Sequence, residues 1–191
     1  MRERNQQVTP ERIVETERLL LRTWRREDAE RLDEIYRQPE YLEFMPPARG
    51  ADRVATYQRL WDEDGFATWA ACERGSERLI GRIGLLRHDD WPLAESPLEV
   101  GWTLDREYWG RGLATEGARA SIDVWLEHLP DETLYSFTVP ENTRSRAVAE
   151  RLGFREEGLL REAERVGSRM LDHVVYGLLA AVFTGVYVLI V

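Results

Sequence analysis

Residues 98–117, LEVGWTLDREYWGRGLATEG, ask for a strand, a tight turn and a helix with almost no chain to spare between them. In 98–104, Leu98, Val100, Trp102 and Leu104 point one way and Glu99, Gly101 and Thr103 the other, the alternation of a β-strand. From Leu113 to Leu129, Ala114, Ala118, Ile122, Trp125, Leu126 and Leu129 recur at helical spacing until Pro130 ends the run. Gly110 and Gly112 fill the gap, with Arg111 between them and Tyr108 and Trp109 just upstream. Glycine is the usual residue for so tight a turn. Bare backbone that opens a helix also lets an anion approach unpaired N–H groups carrying about half a positive charge. Alone, the glycine pair divides between these two roles.

Strands and helices alternate through the rest of the chain. RLLLRTW (18–24) reads as a strand, and residues 26–38 as a helix with Ala29, Leu32, Ile35 and Tyr36 on one face, closed by Pro39. A loop at 44–50 leads to a second helix over 51–63, with Val54, Tyr57, Leu60 and Trp61 on one side. GFATWAACE and RLIGRIGLL are joined by RGSE, a hairpin signal. A loop at 87–97 precedes the 98–104 strand. TLYSFTV (133–139) is a further strand, and residues 142–154 form a helix with Asn142 as N-cap and Gly153 at its end. FREEGLL and the apolar terminus supply two last strands around a polar loop at 161–170. The order implies one α/β domain, the simplest organisation for 191 residues.

The net charge of −9 argues against a general nucleic-acid binder, which needs positive charge to displace counterions. All 26 basic residues are arginine. Cys72 is the only cysteine, which excludes an intrachain disulfide and a thiolate metal cluster. His88, His128 and His173 are scattered without metal-ligand spacing, so no metal is expected and each is read as a surface or structural residue. The polar N-terminus lacks the apolar stretch of a secretion signal, so the cytoplasm is the default compartment. Residues 174–191 carry no charge and reach the lower length limit of a membrane span. Their β-branched composition fits a buried terminal strand or a dimer interface better. An altered reading frame at the chain end and membrane attachment are the remaining alternatives.

Two familiar phosphate motifs do not fit the glycine loop. A P-loop needs a lysine, which this chain lacks, and a dinucleotide fingerprint belongs after the first strand with three glycines. Downstream, Asn142 leaves Ser145 one turn into its helix. Arg144, Arg146, Arg151 and Arg155 are read either as a solvated basic face or as contacts to an anionic ligand. Glu99 is either an ordinary strand carboxylate or, beside an apolar cleft, a base with a raised pKa.

ETERLLLRTWRREDAERL, LEVGWTLDREYWGRGLATEG and VPENTRSRAVAERLGF together resemble the GNAT superfamily of acetyl-CoA-dependent N-acyltransferases, in its RimJ/RimL-type branch. The usual Gln/Arg that opens the loop is Trp109 here, a variant of that branch. The resemblance implies a central mixed, mostly antiparallel sheet flanked by helices, in a single domain over 1–191 with a core of about 15–178 and an apolar extension at 179–191. It further implies that Gly110, Arg111, Gly112, Leu113, Ala114 and Thr115 hold the pyrophosphate of acetyl-CoA, no metal being needed. Trp102, Thr103, Leu104 and Asn142 would flank the pantetheine arm. Glu99 would take a proton from the acceptor amine, and Ser145 would protonate the departing thiolate. The acceptor would be a primary amine: a protein N-terminus such as a ribosomal protein's, or a small amine, polyamine or aminoglycoside. A non-catalytic CoA-binding regulatory module is the rival reading. Loops 39–50, 87–97 and 161–170 would select the acceptor, with Phe44, Trp91, Glu162 and Glu164 as candidates. A homodimer is expected, because the apolar end needs cover.

Overall fold

The strand read at 98–104 is β5 (Leu98–Leu104), and it lies inside an eight-stranded sheet ordered β1-β2-β3-β4-β5-β6-β8-β7. The computed structural model describes residues 11–88 and 96–183. Strands β1 (Ile13–Glu15), β2 (Leu19–Arg22), β3 (Thr68–Glu73) and β4 (Leu79–Arg87) form an antiparallel meander that ends on β5. On the far side, β6 (Leu134–Thr138) pairs antiparallel with β8 (Arg169–Leu178), and β7 (Arg155–Val166) closes the edge. The result is an α/β fold with a mixed sheet flanked by helices.

Strand alternation assigns the two faces of β4 to different helices. Ile83 meets α4 (Leu113–His128), where bare Gly117 lets it approach: a Cβ there would sit 2.5 Å from Ile83 Cδ1. Its neighbour Arg82 faces the opposite layer, which holds Tyr36 of α1 (Asp28–Tyr36) and Tyr57 of α3 (Gly50–Glu63). The apolar stripes read from the sequence are the packed ones: Leu32, Ile35 and Tyr36 of α1 and Val54, Tyr57 and Trp61 of α3 are buried. Pro39 stops α1 and also opens the short α2 (Pro39–Leu42), where its missing N–H costs nothing. Among the described residues no helix is long and apolar enough to cross a membrane. The apolar terminal run begins as buried β8, with Val174, Val175, Tyr176 and Leu178 inside, and continues as α6 (Ala180–Phe183). Residues 184–191 and Trp91 lie outside the described residues.

A buried ion pair ties the start of the sheet to the first helix. Arg22 on β2 grips Asp28 with two hydrogen bonds, Nη1–Oδ2 2.8 Å and Nη2–Oδ1 2.7 Å. Asp28 also accepts from the Arg25 backbone N–H at 2.7 Å, fixing the turn that enters α1.

β5 and β6 form the parallel junction, and they pair only at Leu98↔Leu134 and Glu99↔Tyr135. Beyond those two positions the strands part. α5 (Thr143–Arg151) follows β6, with Asn142 at its N-cap accepting from the Ser145 N–H at 3.1 Å.

Residues 161–170 are not the loop their polarity implies. β7 runs to Val166 and β8 starts at Arg169, so the turn is confined to 167–168. The pairing shifts register between Leu160 and Glu164, with Glu162 at φ +52° and its N–H held by Asp172 Oδ1 at 2.8 Å. This bulge breaks the two-residue alternation by which a strand is read from sequence. It also leaves Glu162 exposed while Glu164 is half-buried.

Replacing Asp28 with Ala strands the buried Arg22 guanidinium. The expected loss is about 3–5 kcal/mol of unfolding free energy, measured by urea denaturation.

Candidate active site

A cavity of about 1400 Å³ occupies the gap between β5 and β6 and runs from the glycine loop to α1, α2 and α3. Its walls include Trp102, Thr103 and Leu104 from β5 and Ser136, Phe137 and Thr138 from β6. On the β6 side, β5 has no strand partner beyond Glu99 among the described residues, so its backbone there can pair with an extended ligand.

At one end lies the turn into α4. Asp105 begins it, accepting from the Glu107 N–H at 3.0 Å and from Gln38 Nε2 at 3.1 Å, with Arg31 also bound to it. Gly110 and Gly112 have φ of +73° and +77°, left-handed values that side chains resist. A Cβ on Gly110 would meet nothing within 4 Å, so the loop is bare on its outer side. Gly112 is the N-cap of α4, and Gly110, Gly112, Leu113, Ala114 and Thr115 all line the cavity. Arg111 does not line it; its guanidinium lies over the Tyr108 ring at 5.0 Å, and its carbonyl accepts from Arg18 Nη1 at 2.8 Å. Arg18 also binds Glu116 through Nε at 2.7 Å, which balances an acidic side chain in the first turn of α4. Trp109 Nε1 donates to Leu104 O at 2.8 Å, and Arg144 stacks on the Trp109 ring at 4.9 Å. Asn142 and Ser145 line the wall opposite β5. The helix over 142–154 is not a uniform solvated face, since Arg146 binds Tyr176 Oη at 2.9 Å and Glu156 at 3.2 Å.

At the other end Glu99 meets His88, a residue whose isolation in the sequence implied no chemistry. His88 Nε2 and Glu99 Oε2 are 2.6 Å apart. Burial works to raise the Glu99 pKa, but the His88 hydrogen bond and the charges of His88, Arg82 and His173 outweigh it and set the carboxyl below its ordinary range. Of the two sequence readings of Glu99, the one with a raised pKa is not the direction here, because the cleft supplies cations. Burial works to lower the His88 pKa, but the hydrogen bond to Glu99 and its charge raise it above the ordinary imidazole value. His173 is no isolated structural residue either, with Nε2 at 3.3 Å from Glu164 Oε2, and both line the cavity. His128 sits in the last turn of α4, where a cation suits the helix dipole.

Two of the segments expected to select an acceptor converge over this end. Arg169, beside the β7–β8 turn, donates to Glu43 O at 2.9 Å. Phe44 and Glu164 line the cavity beneath, whereas Glu162 does not. The sequence reading missed Arg82, Tyr36, Tyr41 and Tyr57 as lining residues. Strand alternation puts Arg82 on the same face as Glu99, the one signal that could have exposed it.

A parted sheet, a left-handed glycine turn and a strand glutamate border this one cavity, and comparison with known proteins shows the family of the chain. The family model for the acetyltransferase (GNAT) domain matches residues 18–155, so the chain belongs to the GNAT family. The uncharacterized N-acetyltransferase p20 of Bacillus licheniformis is 28% identical over 176 residues, covering 89% of this chain and 97% of its own. YdaF of Bacillus subtilis, provisionally named a ribosomal N-acetyltransferase, is 30% identical over 180 residues, covering 88% and 95%. The microcin C7 self-immunity acetyltransferase MccE, solved with acetyl-CoA and AMP, superposes with a TM-score of 0.72 at 16% identity, covering 91% of this chain and 98% of its own. The chain is an acetyl-CoA-dependent N-acetyltransferase.

An NMR titration should find the His88 imidazole deprotonating above its ordinary pH range. Glu99→Gln removes the carboxylate that holds the proton, so the midpoint should move to lower pH.

Proposed function

We propose that this enzyme transfers the acetyl group of acetyl-CoA to a primary amine, with the Glu99–His88 pair receiving the proton the amine must lose. The observation that carries this is the 2.6 Å contact of Glu99 with His88 on the cavity wall, beside the unpaired stretch of β5.

An ammonium has no lone pair, so attack requires prior deprotonation. Glu99, held ionised, is a weak base by itself. Neutral His88, oriented by Glu99 and with its pKa raised by that carboxylate, is the stronger base of the two. A proton leaving the amine passes to this pair directly or through one water.

The bare loop fits a pyrophosphate: two left-handed glycines, an open outer side, and a helix N-terminus behind it. In this reading the amides of Gly110, Arg111, Gly112, Leu113, Ala114 and Thr115 hold the phosphates. Trp102, Thr103 and Leu104 offer the free β5 edge to the pantetheine arm, with Asn142 on the opposite wall. A β5 N–H polarises the thioester carbonyl, and the Ser145 hydroxyl protonates the sulfur as it leaves. The donor contributes an activated acetyl group; the protein supplies alignment and the two proton transfers.

The acceptor best suited to the covered cavity end is a small amine. A protein N-terminal amine, as the RimJ/RimL-type branch implies, is the second reading, favoured by the ribosomal name carried by the relative at 30% identity. A cytoplasmic location and a homodimer belong to the same proposal. Exposed Leu159 and Met170 on β7 and β8 are the apolar residues a dimer would cover, and light scattering tests it.

Turnover should rise with pH through the raised His88 pKa, because the deprotonated imidazole is the active form. Glu99→Gln should lower kcat about 100-fold or more and move that limb to lower pH, with CoA affinity little changed. A limb that stays in place removes the pair from the base role. Gly112→Val forces a β-branched residue into left-handed backbone and should weaken CoA binding at least about tenfold by calorimetry. Retained affinity would remove the loop from the phosphate site.

A further inference from the structure

The acceptor end of the cavity contains a half-buried cation, Arg82, that makes no ion pair among the described residues. Arg82 projects from β4 into the layer of Tyr36, Tyr41 and Tyr57, and its Nη1 is buried with no hydrogen-bond partner. No carboxylate among the described residues lies within ion-pair distance of it; Glu99, whose charge reaches it, gives its Oε2 to His88. A buried guanidinium nitrogen with no partner among the described residues is costly, and proteins ordinarily pair such groups.

Glycine keeps the space beside it open. A Cβ on Gly101 would stand 3.2 Å from Glu99 Oε1 and 3.4 Å from Arg82 Nη1. The carboxylate that meets the amine-deprotonating histidine and the unpartnered guanidinium therefore border the same small volume. Arg53 of α3 lines this end as well, without an ion pair among the described residues. Tyr36 and Tyr41 stack at 4.5 Å beside it, and Phe44 and Met45 add apolar surface.

We propose that the acceptor is a small amino-carboxylate, a free amino acid, whose carboxylate pairs with Arg82 while its amine faces Glu99 and His88. The ligand supplies the counterion the fold omits, and the guanidinium offers a carboxylate charge-assisted hydrogen bonds. Both groups border one volume, so the amine and carboxylate sit on the same or adjacent carbons. An amine without an acid group, such as a polyamine, brings a second cation towards Arg82 and is rejected by repulsion. This inference rests on the acetyl-transfer reading of the same site.

The test pairs each proteinogenic L-amino acid with its carboxamide, which keeps the side chain and the amine but lacks the acid. Free thiol release from acetyl-CoA reads turnover, and calorimetry on the protein–CoA complex reads binding separately. The expected result is that at least one amino acid is favoured over its carboxamide by about tenfold or more in kcat/KM and binds with the same preference. Arg82→Gln should collapse that ratio towards one, chiefly through KM of the acid, and Arg82→Lys should restore part of it. A purely structural Arg82 would lower both members together and leave the ratio intact. Equal use of acid and amide, preference for peptides with uncharged N-terminal residues, or no binding of any amino acid overturns the proposal. Equal turnover of acid and amide would leave the acetyl-transfer reading standing. Amino-acid binding without turnover would instead count against the proton-transfer roles and spare the carboxylate site.

Discussion

β5 and β6 pair for two residues and then part, and the backbone groups left along β5 have to be met by something other than the sheet. Inside a sheet such groups are normally bonded to a neighbouring strand, because burying them unpaired costs free energy. The parting is tolerated because each half is paired elsewhere: β5 along its length with β4, and β6 with β8. Trp109 satisfies the carbonyl at the end of β5, and the cavity occupies the rest of the opening. The glycine turn, the Asn142-capped helix and the Glu99–His88 pair are all arranged around this gap.

Charge is distributed by position. A chain of net charge −9 places at the turn into α4 a helix N-terminus whose one acidic first-turn residue is neutralised by Arg18. At the far end, Glu99 is held ionised by His88 and by the fields of Arg82 and His173, while Glu164 pairs with His173. Burial would raise Glu99 if it acted alone; neighbouring cations reverse the direction. In the proposed mechanism the base function consequently moves from the carboxylate to the imidazole it orients.

Much of the architecture could be read before the fold was known. β4, β5, α3 and α4 fall within a residue or two of their predicted bounds, because alternation and helical spacing reflect burial on one face. The glycine loop was legible for a similar reason, since left-handed turns select glycine within a few residues. The outer half of the β7–β8 hairpin was not. Its polar strands lie exposed and its bulge shifts the period, so composition there resembles a loop. Glu162 and Glu164 were indistinguishable in sequence, and only the bulge separates the exposed one from the one turned towards the cavity.

The GNAT family, the strand–turn–helix unit and the positions of Glu99, Asn142 and the two glycines are written in contiguous segments, where each signal depends on near neighbours. His88 beside Glu99, Arg82 among three tyrosines and the hairpin reaching Glu43 are not. Those contacts join elements distant in the chain, and their geometry depends on sheet register and on how α1 and α3 pack over β4. A lone histidine and a strand arginine have no chemistry of their own in a one-dimensional pattern. They acquire it when the closed fold removes water from around them and brings each within reach of the Glu99 charge.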